Sequence, residues 1–302
     1  MRVASIFVIA AIGTACAHSP PPALHSTRLV VVHTTSGGFR PFVRAKVAGE
    51  TVPLLLDTGA IHSLLPGSFA KRHNLPTRES RASDAQFVDA NGTVRWMPAL
   101  PNVPVQFEGE ASGGTLDFYL NPSDPTNEGI LAAQDLVRSG GALVIDLGRE
   151  ELRYEPEDAA LTRVRAESSV PLREVDFQRC LLEGFFERAH RIVSTRINGV
   201  QAKMLIDTGA SRTVLARNNP ALSSMMAVKG DRGQVLALTS TGQGLLVQDV
   251  PIVFSETSFV MPVLVQPVSQ PCFEGALGAD VLRQCIIVWG SKSLWAACRP
   301  PT

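Results

Sequence analysis

Apolar residues in this chain gather in short blocks broken by Gly, Pro, Asn and Asp, a pattern of strands and turns rather than of long helices. Val43-Arg44-Ala45-Lys46-Val47 alternates apolar with polar positions, and Ala48-Gly49 closes it as a turn. Leu54-Leu55-Leu56 then reads as a buried strand that stops abruptly at Asp57-Thr58-Gly59-Ala60. The same pattern returns 150 residues later as Val193-Ser194-Thr195-Arg196-Ile197-Asn198-Gly199, then Met204-Leu205-Ile206 ending in Asp207-Thr208-Gly209-Ala210. Val103-Pro104-Val105-Gln106-Phe107 is answered by Val250-Pro251-Ile252-Val253-Phe254, and the stretch from Gly129 to Leu136 by the stretch from Gly275 to Leu282. The offset drifts from 150 to 147 to 146, as loop deletions would make it. One unit of about a hundred residues or more is duplicated, too long for a solenoid repeat.

The pattern between these blocks predicts the remaining elements. Arg28 to Val32 is a β-branched strand, Ile61 to Pro66 a short strand, and Gly67 to Asn74 a helical turn. Phe87-Val88 and Val94-Arg95-Trp96 flank Asp89-Ala90-Asn91-Gly92, and Asn-Gly is a strong hairpin signal, so residues 85–97 form a candidate flap. Its counterpart is Val235-Leu236-Ala237-Leu238 followed by Thr239-Ser240-Thr241-Gly242, with Asn91-Gly92 and Thr241-Gly242 at the 150 offset. Glu108 to Asn127 reads as a long loop holding one strand at Leu116 to Tyr119. Gly141 to Tyr154 is a hairpin turning at Gly148. The expected organisation is a signal peptide over 1–17, a Pro-rich tether over 18–27, a first lobe over 28–155, an aperiodic charged connection over 156–176, and a second lobe over 177–302.

Composition narrows the partners. The chain has 302 residues, 45% hydrophobic and 19% charged, which suits two globular lobes. Net charge is zero and there is no basic run, which argues against nucleic acid as a partner. Met1-Arg2, the apolar Val3 to Ile12 and the small residues Gly13 to Ala17 form a secretory signal, so the protein is expected to be exported. Two cleavage patterns fit. Cys16 is the acceptor of a lipoprotein signal, which would attach the chain to a membrane through an N-terminal lipid; Ala15-Cys16-Ala17 also fits ordinary cleavage before His18. Export makes disulfides available. Cys285 to Trp289 and Leu294 to Cys298 form a terminal hairpin, and if Trp289 faces Leu294 then Cys285 faces Cys298 and the two can be bridged. Cys180 and Cys272 are left as either a second pair or buried free thiols.

The chemistry rests on two carboxylates. The six histidines show no ligand spacing, so no metal is expected, and no cofactor motif, phosphate loop or Gly-x-Ser-x-Gly elbow is present. If a pseudo-twofold axis relates the two copies, Asp57 and Asp207 face each other and share a proton. One then activates a water and the other protonates a carbonyl oxygen. At these residues the chain resembles the aspartic proteases, and Asp-Thr-Gly-Ala resembles their retropepsin-type branch and its bacterial relatives. The family's second signature, two apolar residues and a Gly before a Leu, is matched by Ala276-Leu277-Gly278-Ala279-Asp280-Val281-Leu282. Ile130 to Leu136 departs from it, with Ala132 at the Gly position and Gln134 at the Asp position. The resemblance implies an all-β, two-lobed aspartic protease (acid protease) fold made of two duplicated retropepsin-like β-barrel lobes. It implies that Thr58 and Thr208 lock the two loops, that Gly59 and Gly209 allow close approach, and that Ala60 and Ala210 follow them in the active-site loops. The expected function is an aspartic endopeptidase acting on a polypeptide, as a monomer with its dyad inside one chain. The alternative is a catalytically silent protein on the same fold that binds peptides or an envelope partner.

Overall fold

The computed structural model describes residues 24–35, 37–78, 86–88, 94–121, 128–180, 189–217, 219–225, 231–237, 240–266 and 272–300. The first half runs β1 (Ser26–His33), β2 (Phe39–Val47), β3 (Glu50–Asp57), β4 (Leu64–Pro66), α1 (Gly67–Arg72), β5 (Gln86–Val88), β6 (Val94–Trp96), β7 (Ala99–Phe107), β8 (Gly114–Asn121), β9 (Gly129–Ala132), α2 (Ala133–Leu136), β10 (Gly141–Asp146) and β11 (Glu151–Pro156). After α3 (Glu157–Glu167) and β12 (Arg173–Glu174), the second half runs β13 (Phe177–Cys180), β14 (His190–Ile197), β15 (Val200–Ile206), β16 (Val214–Ala216), α4 (Leu222–Met225), β17 (Asp231–Ala237), β18 (Ser240–Phe254), β19 (Thr257–Gln266), β20 (Gly275–Leu277), α5 (Ala279–Leu282), β21 (Cys285–Gly290) and β22 (Leu294–Cys298).

Each half closes a six-stranded barrel. In the first, the ladder β2-β3-β9-β4-β8-β7 returns to β2; in the second, β14-β15-β20-β16-β19-β18 returns to β14. The apolar runs are continuous because both faces of the strand are covered. Leu54 and Leu56 face the main core, while Leu55 packs on the other side with Phe42, Leu64, Met97 and Ile130. Met204 and Ile206 face the core and Leu205 the opposite side in the second barrel. Full burial of each such side chain stabilises the fold by about 1.5–3 kcal/mol. Ala48-Gly49 and Asn198-Gly199, with φ of 46° and 92° and of 48° and 80°, make the two-residue turns that set these strands in register.

A further sheet, β12-β22-β21-β10-β11-β1, joins the halves. Its central contact is β10 against β21, from Ala142↔Gly290 to Asp146↔Ile286. The hairpin closing each half therefore serves as a shared platform. The stretch expected to be an aperiodic connection contains the helix α3, which covers this platform. Only Ala160 and Val164 are buried along it, packed on Ala142, Val144, Ile286 and Val288, so a single i, i+4 pair was too narrow a stripe to show as a period. Pro156 precedes it and Glu157 and Asp158 fill its first turn, which suits a helix start. Within the loop expected from Glu108 to Asn127, the strand expected at Leu116 to Tyr119 is present as β8, two residues longer at each end. Among the described residues no helix is long and apolar enough to cross a membrane.

The two expected flaps differ. β5 pairs β6 with Val88 opposite Val94, and Asn91 and Gly92 lie outside the described residues. In the second half, β17 and β18 pair from Asp231↔Leu246 to Ala237↔Ser240. Thr241 and Gly242 are thus not at the turn but within the strand, opposite Leu236 and Val235. A two-residue connection is the shortest that keeps an antiparallel ladder in register, so the strand runs on through these positions, and the 150 offset fails there.

Candidate active site

Both Asp-Thr-Gly loops are held by a strand threaded between their arms. β9 lies parallel to β3, with Asp57 opposite Ala132, and antiparallel to β4; β20 stands in the same relation to β15 and β16. A hydroxyl and a carboxylate pin each loop from behind. In the first half, Ser63 donates its N–H and Oγ–H to Asp135 Oδ2 at 2.8 and 2.6 Å, and Ser63 Oγ accepts the Ala132 N–H at 3.0 Å. In the second, Thr213 donates its N–H and Oγ1–H to Asp280 Oδ1, both at 2.8 Å, and accepts the Gly278 N–H at 3.1 Å. The carboxylate predicted to be missing at Gln134 is supplied one residue later by Asp135. Burial raises the carboxyl of Asp280, against the pull of the Thr213 hydrogen bonds.

The two loops interlock. The Thr58 N–H donates to Thr208 Oγ1 at 3.1 Å, and the Thr208 N–H to Thr58 Oγ1 at 3.0 Å. Each hydroxyl in turn donates across the interface, Thr58 to the Ile206 carbonyl at 2.9 Å and Thr208 to the Leu56 carbonyl at 2.7 Å. Above this lock Asp57 Oδ1 accepts the Ala60 N–H at 2.8 Å and Asp207 Oδ1 accepts the Ala210 N–H at 3.0 Å. Each carboxylate lies over the glycine of the other loop. A Cβ on Gly59 would stand 2.6 Å from Asp207 Cγ, and one on Gly209 2.4 Å from Asp57 Cγ. Only glycine allows that approach.

Asp57 and Asp207 lie close enough to act on each other's ionisation. Burial, followed by the charge of Asp207, holds Asp57 well above the usual carboxyl range, although the Ala60 and Gly59 N–H groups oppose this. Burial also raises Asp207, against the Ala210 N–H, the Asp57 carboxyl and the Gly209 N–H. The pair therefore retains one proton that an exposed carboxyl would lose. Such a pair can take a proton from a water and give one to a carbonyl oxygen.

Of the sequence-derived residues, the structure brings Asp57, Thr58, Gly59, Ala60, Asp207, Thr208, Gly209 and Ala210 together. It joins Cys285 to Cys298 and also Cys180 to Cys272. Cys16 lies outside the described residues. Sequence reasoning missed Ser63, Thr213 and Asp135; the signal was a hydroxyl residue at the 150 offset in both halves. Among the described residues no group of three or more His, Cys, Asp or Glu side chains is gathered as a metal site requires.

Comparison with known proteins fits this geometry. Residues 43–131 match a family model described as "gag-polyprotein putative aspartyl protease". Basic 7S globulin from soybean is similar in structure, with a TM-score of 0.52 at 13% identity over 91% of this chain and 95% of that one. The aspartic proteinase from Irpex lacteus is similar with a TM-score of 0.52 at 12% identity over 91% of this chain and 97% of that one. The fold is that of the two-lobed aspartic proteinases. No curated protein matches the chain.

Proposed function

We propose that this protein is an aspartic endopeptidase in which Asp57 and Asp207 are the catalytic pair. The observation that carries the reading is the reciprocal seating of the two carboxylates, one from each half, each over the other's glycine. A peptide lying between the halves would present its carbonyl carbon to a water held by the pair. The ionised carboxylate takes a proton from that water as its oxygen attacks, and the protonated carboxyl gives its proton to the carbonyl oxygen. Return of a proton to the amide nitrogen then lets the C–N bond break. An extended substrate would be gripped partly through its main chain. One chain supplies both aspartates, so the active species is a monomer and no association entropy is lost in forming the dyad.

The test is cleavage of an unfolded protein, with and without a statine-type transition-state analogue, by wild type, Asp57→Asn and Asp207→Asn. Both variants should be inactive while folded by circular dichroism, and a mixture of the two should stay inactive. Turnover near half of wild type in either variant would show instead that halves pair across molecules. Export is part of the same reading, supported by the leader-like start and by two disulfides, which persist in oxidising compartments. Mass spectrometry of the mature N-terminus decides between lipidated Cys16, plain His18 and intact Met1, the last of which refutes export.

A further inference from the structure

The turn between β1 and β2 belongs to the first half but rests on the second. It is closed from within: the Thr34 N–H donates to the Gly38 carbonyl at 2.9 Å, and the Gly37 N–H to the Thr34 carbonyl at 2.8 Å. The Gly38 N–H donates to Thr34 Oγ1 at 2.8 Å. The next donor leaves the turn. The Phe39 N–H, the first of β2, reaches the Ser211 carbonyl at 2.9 Å, four residues past Asp207. Its ring points to the same half. The Arg283 guanidinium carbon, at the end of α5, stands 4.0 Å from the ring centre, and His33 lies edge-on to it at 4.8 Å.

This approach needs glycine. A Cβ on Gly38 would stand 2.5 Å from the Ser211 carbonyl oxygen and 2.9 Å from its carbon. Gly37 has a φ of 78°, which the turn itself requires, but Gly38 is not in the left-handed region. At Gly38, therefore, the demand comes from the neighbour. The same arm is pressed from its other side by Gly278, whose Cβ would lie 2.2 Å from the Arg212 carbonyl carbon. Ser211-Arg212 thus runs between a glycine of each half. The second half ties this arm at both ends: the Ala210 carbonyl accepts the Ala279 N–H at 2.8 Å, and the Thr213 N–H donates to Asp280 at 2.8 Å. The first half ties it in between, at Ser211. Ala210, next to Ser211, gives its N–H to Asp207 Oδ1 at 3.0 Å, so a displaced Ser211 pulls on a direct support of that carboxylate.

We propose that the β1–β2 turn is a positioning element for the second catalytic loop: Gly38 and Phe39 of the first half hold Ser211, and through the Ala210 N–H they fix the seat of the Asp207 carboxylate. The proposal rests on the endopeptidase reading above and deepens it. Asp207 is then set by two contacts from the other half, the threonine interlock beneath it and this turn beside it.

Three variants test this. Gly38→Ala places a methyl group against the Ser211 carbonyl. Phe39→Leu keeps the N–H and apolar bulk but removes the ring face under Arg283. Gly140→Ala is the control for mere destabilisation, since Gly140 has a φ of 75° and a Cβ there meets nothing within 4 Å. Each is compared with wild type in kcat, KM and the pH profile of kcat on an unfolded protein, and in amide hydrogen exchange of the segment 209–213. Gly38→Ala should lose on the order of 10- to 100-fold in kcat with KM unchanged, as small misplacements of reacting groups do. Its pH profile should move upward, because a loosened Ala210 N–H no longer favours the ionised carboxylate, and its segment should exchange faster. Phe39→Leu should shift all three in the same direction by less, and Gly140→Ala none of them. Exchange equal to wild type in Gly38→Ala would overturn the proposal, as would the same changes in Gly140→Ala. If Gly38→Ala does not fold, Phe39→Leu decides, and wild-type exchange and kcat there would overturn it. Should wild type cleave nothing, the endopeptidase reading fails on its own, and the exchange comparison still decides whether the turn holds the loop.

Discussion

Thr58→Val preserves shape and removes one hydroxyl from the interlock. That hydroxyl accepts the Thr208 N–H at 3.0 Å and donates to the Ile206 carbonyl at 2.9 Å. Water cannot replace either bond, because Thr58, Thr208 and Ile206 are 0%, 1% and 0% exposed. Valine therefore strands one N–H and one C=O. Each orphaned buried group costs about 1–3 kcal/mol, so the variant should lose roughly 2–6 kcal/mol. Thr58→Ser keeps both bonds and gives up one methyl group, about 1 kcal/mol. Urea unfolding of the three proteins, compared at constant m, separates these values. The interlock also sets the height of both carboxylates, so the Val variant should lose cleavage while the Ser variant keeps it. Equal destabilisation by Val and Ser would refute the argument, since the loss would then come from packing and not from the bonds.

The raised dyad carboxyls make a pH prediction of definite sign. Their folded values lie above the ordinary aspartate value of 3.8, so the folded state holds more protons, and the stability they contribute is full below that pH and lost as pH rises through the folded values. Asp57→Asn should flatten that slope in Tm against pH; an unchanged slope would contradict it. Activity should follow a bell with a mildly acidic optimum, because Ala60 and Ala210 offer no hydroxyl to lower the pair, and a strongly acidic optimum would refute this. Of the two disulfides, Cys180–Cys272 spans 92 residues and Cys285–Cys298 spans 13, so paired serine variants should lose about 4.6 and about 3 kcal/mol in the chain-entropy picture. The opposite order of urea midpoints would count against loop closure as the cause. Gly209→Ala should cut kcat by on the order of 100-fold without unfolding, because its Cβ would sit 2.4 Å from Asp57 Cγ; unchanged kcat would show that the loops can separate.

Much of this arrangement was legible in the sequence because it depends on short-range pattern. The runs before Asp57 and Asp207 are apolar on consecutive positions since each strand is covered on both faces, and their repetition announced two equivalent halves. The rung Trp289↔Leu294 fixed Cys285 opposite Cys298 by counting alone. Features that depend on which groups meet in space were not legible. Asp135 replaces the expected carboxylate at Gln134 because one extra helical step still brings an oxygen to Ser63. The helix α3 escaped because its burial is a single pair, and the position of the β17–β18 turn escaped because Thr241-Gly242 reads as a turn dipeptide although the ladder passes through it. Cys180 and Cys272 lie 92 residues apart, a distance over which no local pattern can pair them.

The duplicated halves keep a hydrogen-bond plan rather than a residue register, and the difference between them bears on the chemistry. Hydroxyl to carboxylate to threaded strand is the same in both, yet Gly278 is pressed so close to Arg212 that a Cβ would lie 2.2 Å from its carbonyl carbon, while the first half accepts Ala132 in that place. The carboxylates are unequal too. Asp57 is buried, Asp207 is half-buried, and Asp57 is the more strongly raised of the two. Two like charges in contact cannot both persist, so the pair keeps one proton that belongs to the two carboxyls together and to neither alone. In the proposed reaction the ionised member would take the proton of the attacking water and the protonated member would give its own to the carbonyl oxygen, so the chemistry needs one carboxyl from each half however differently the halves are packed.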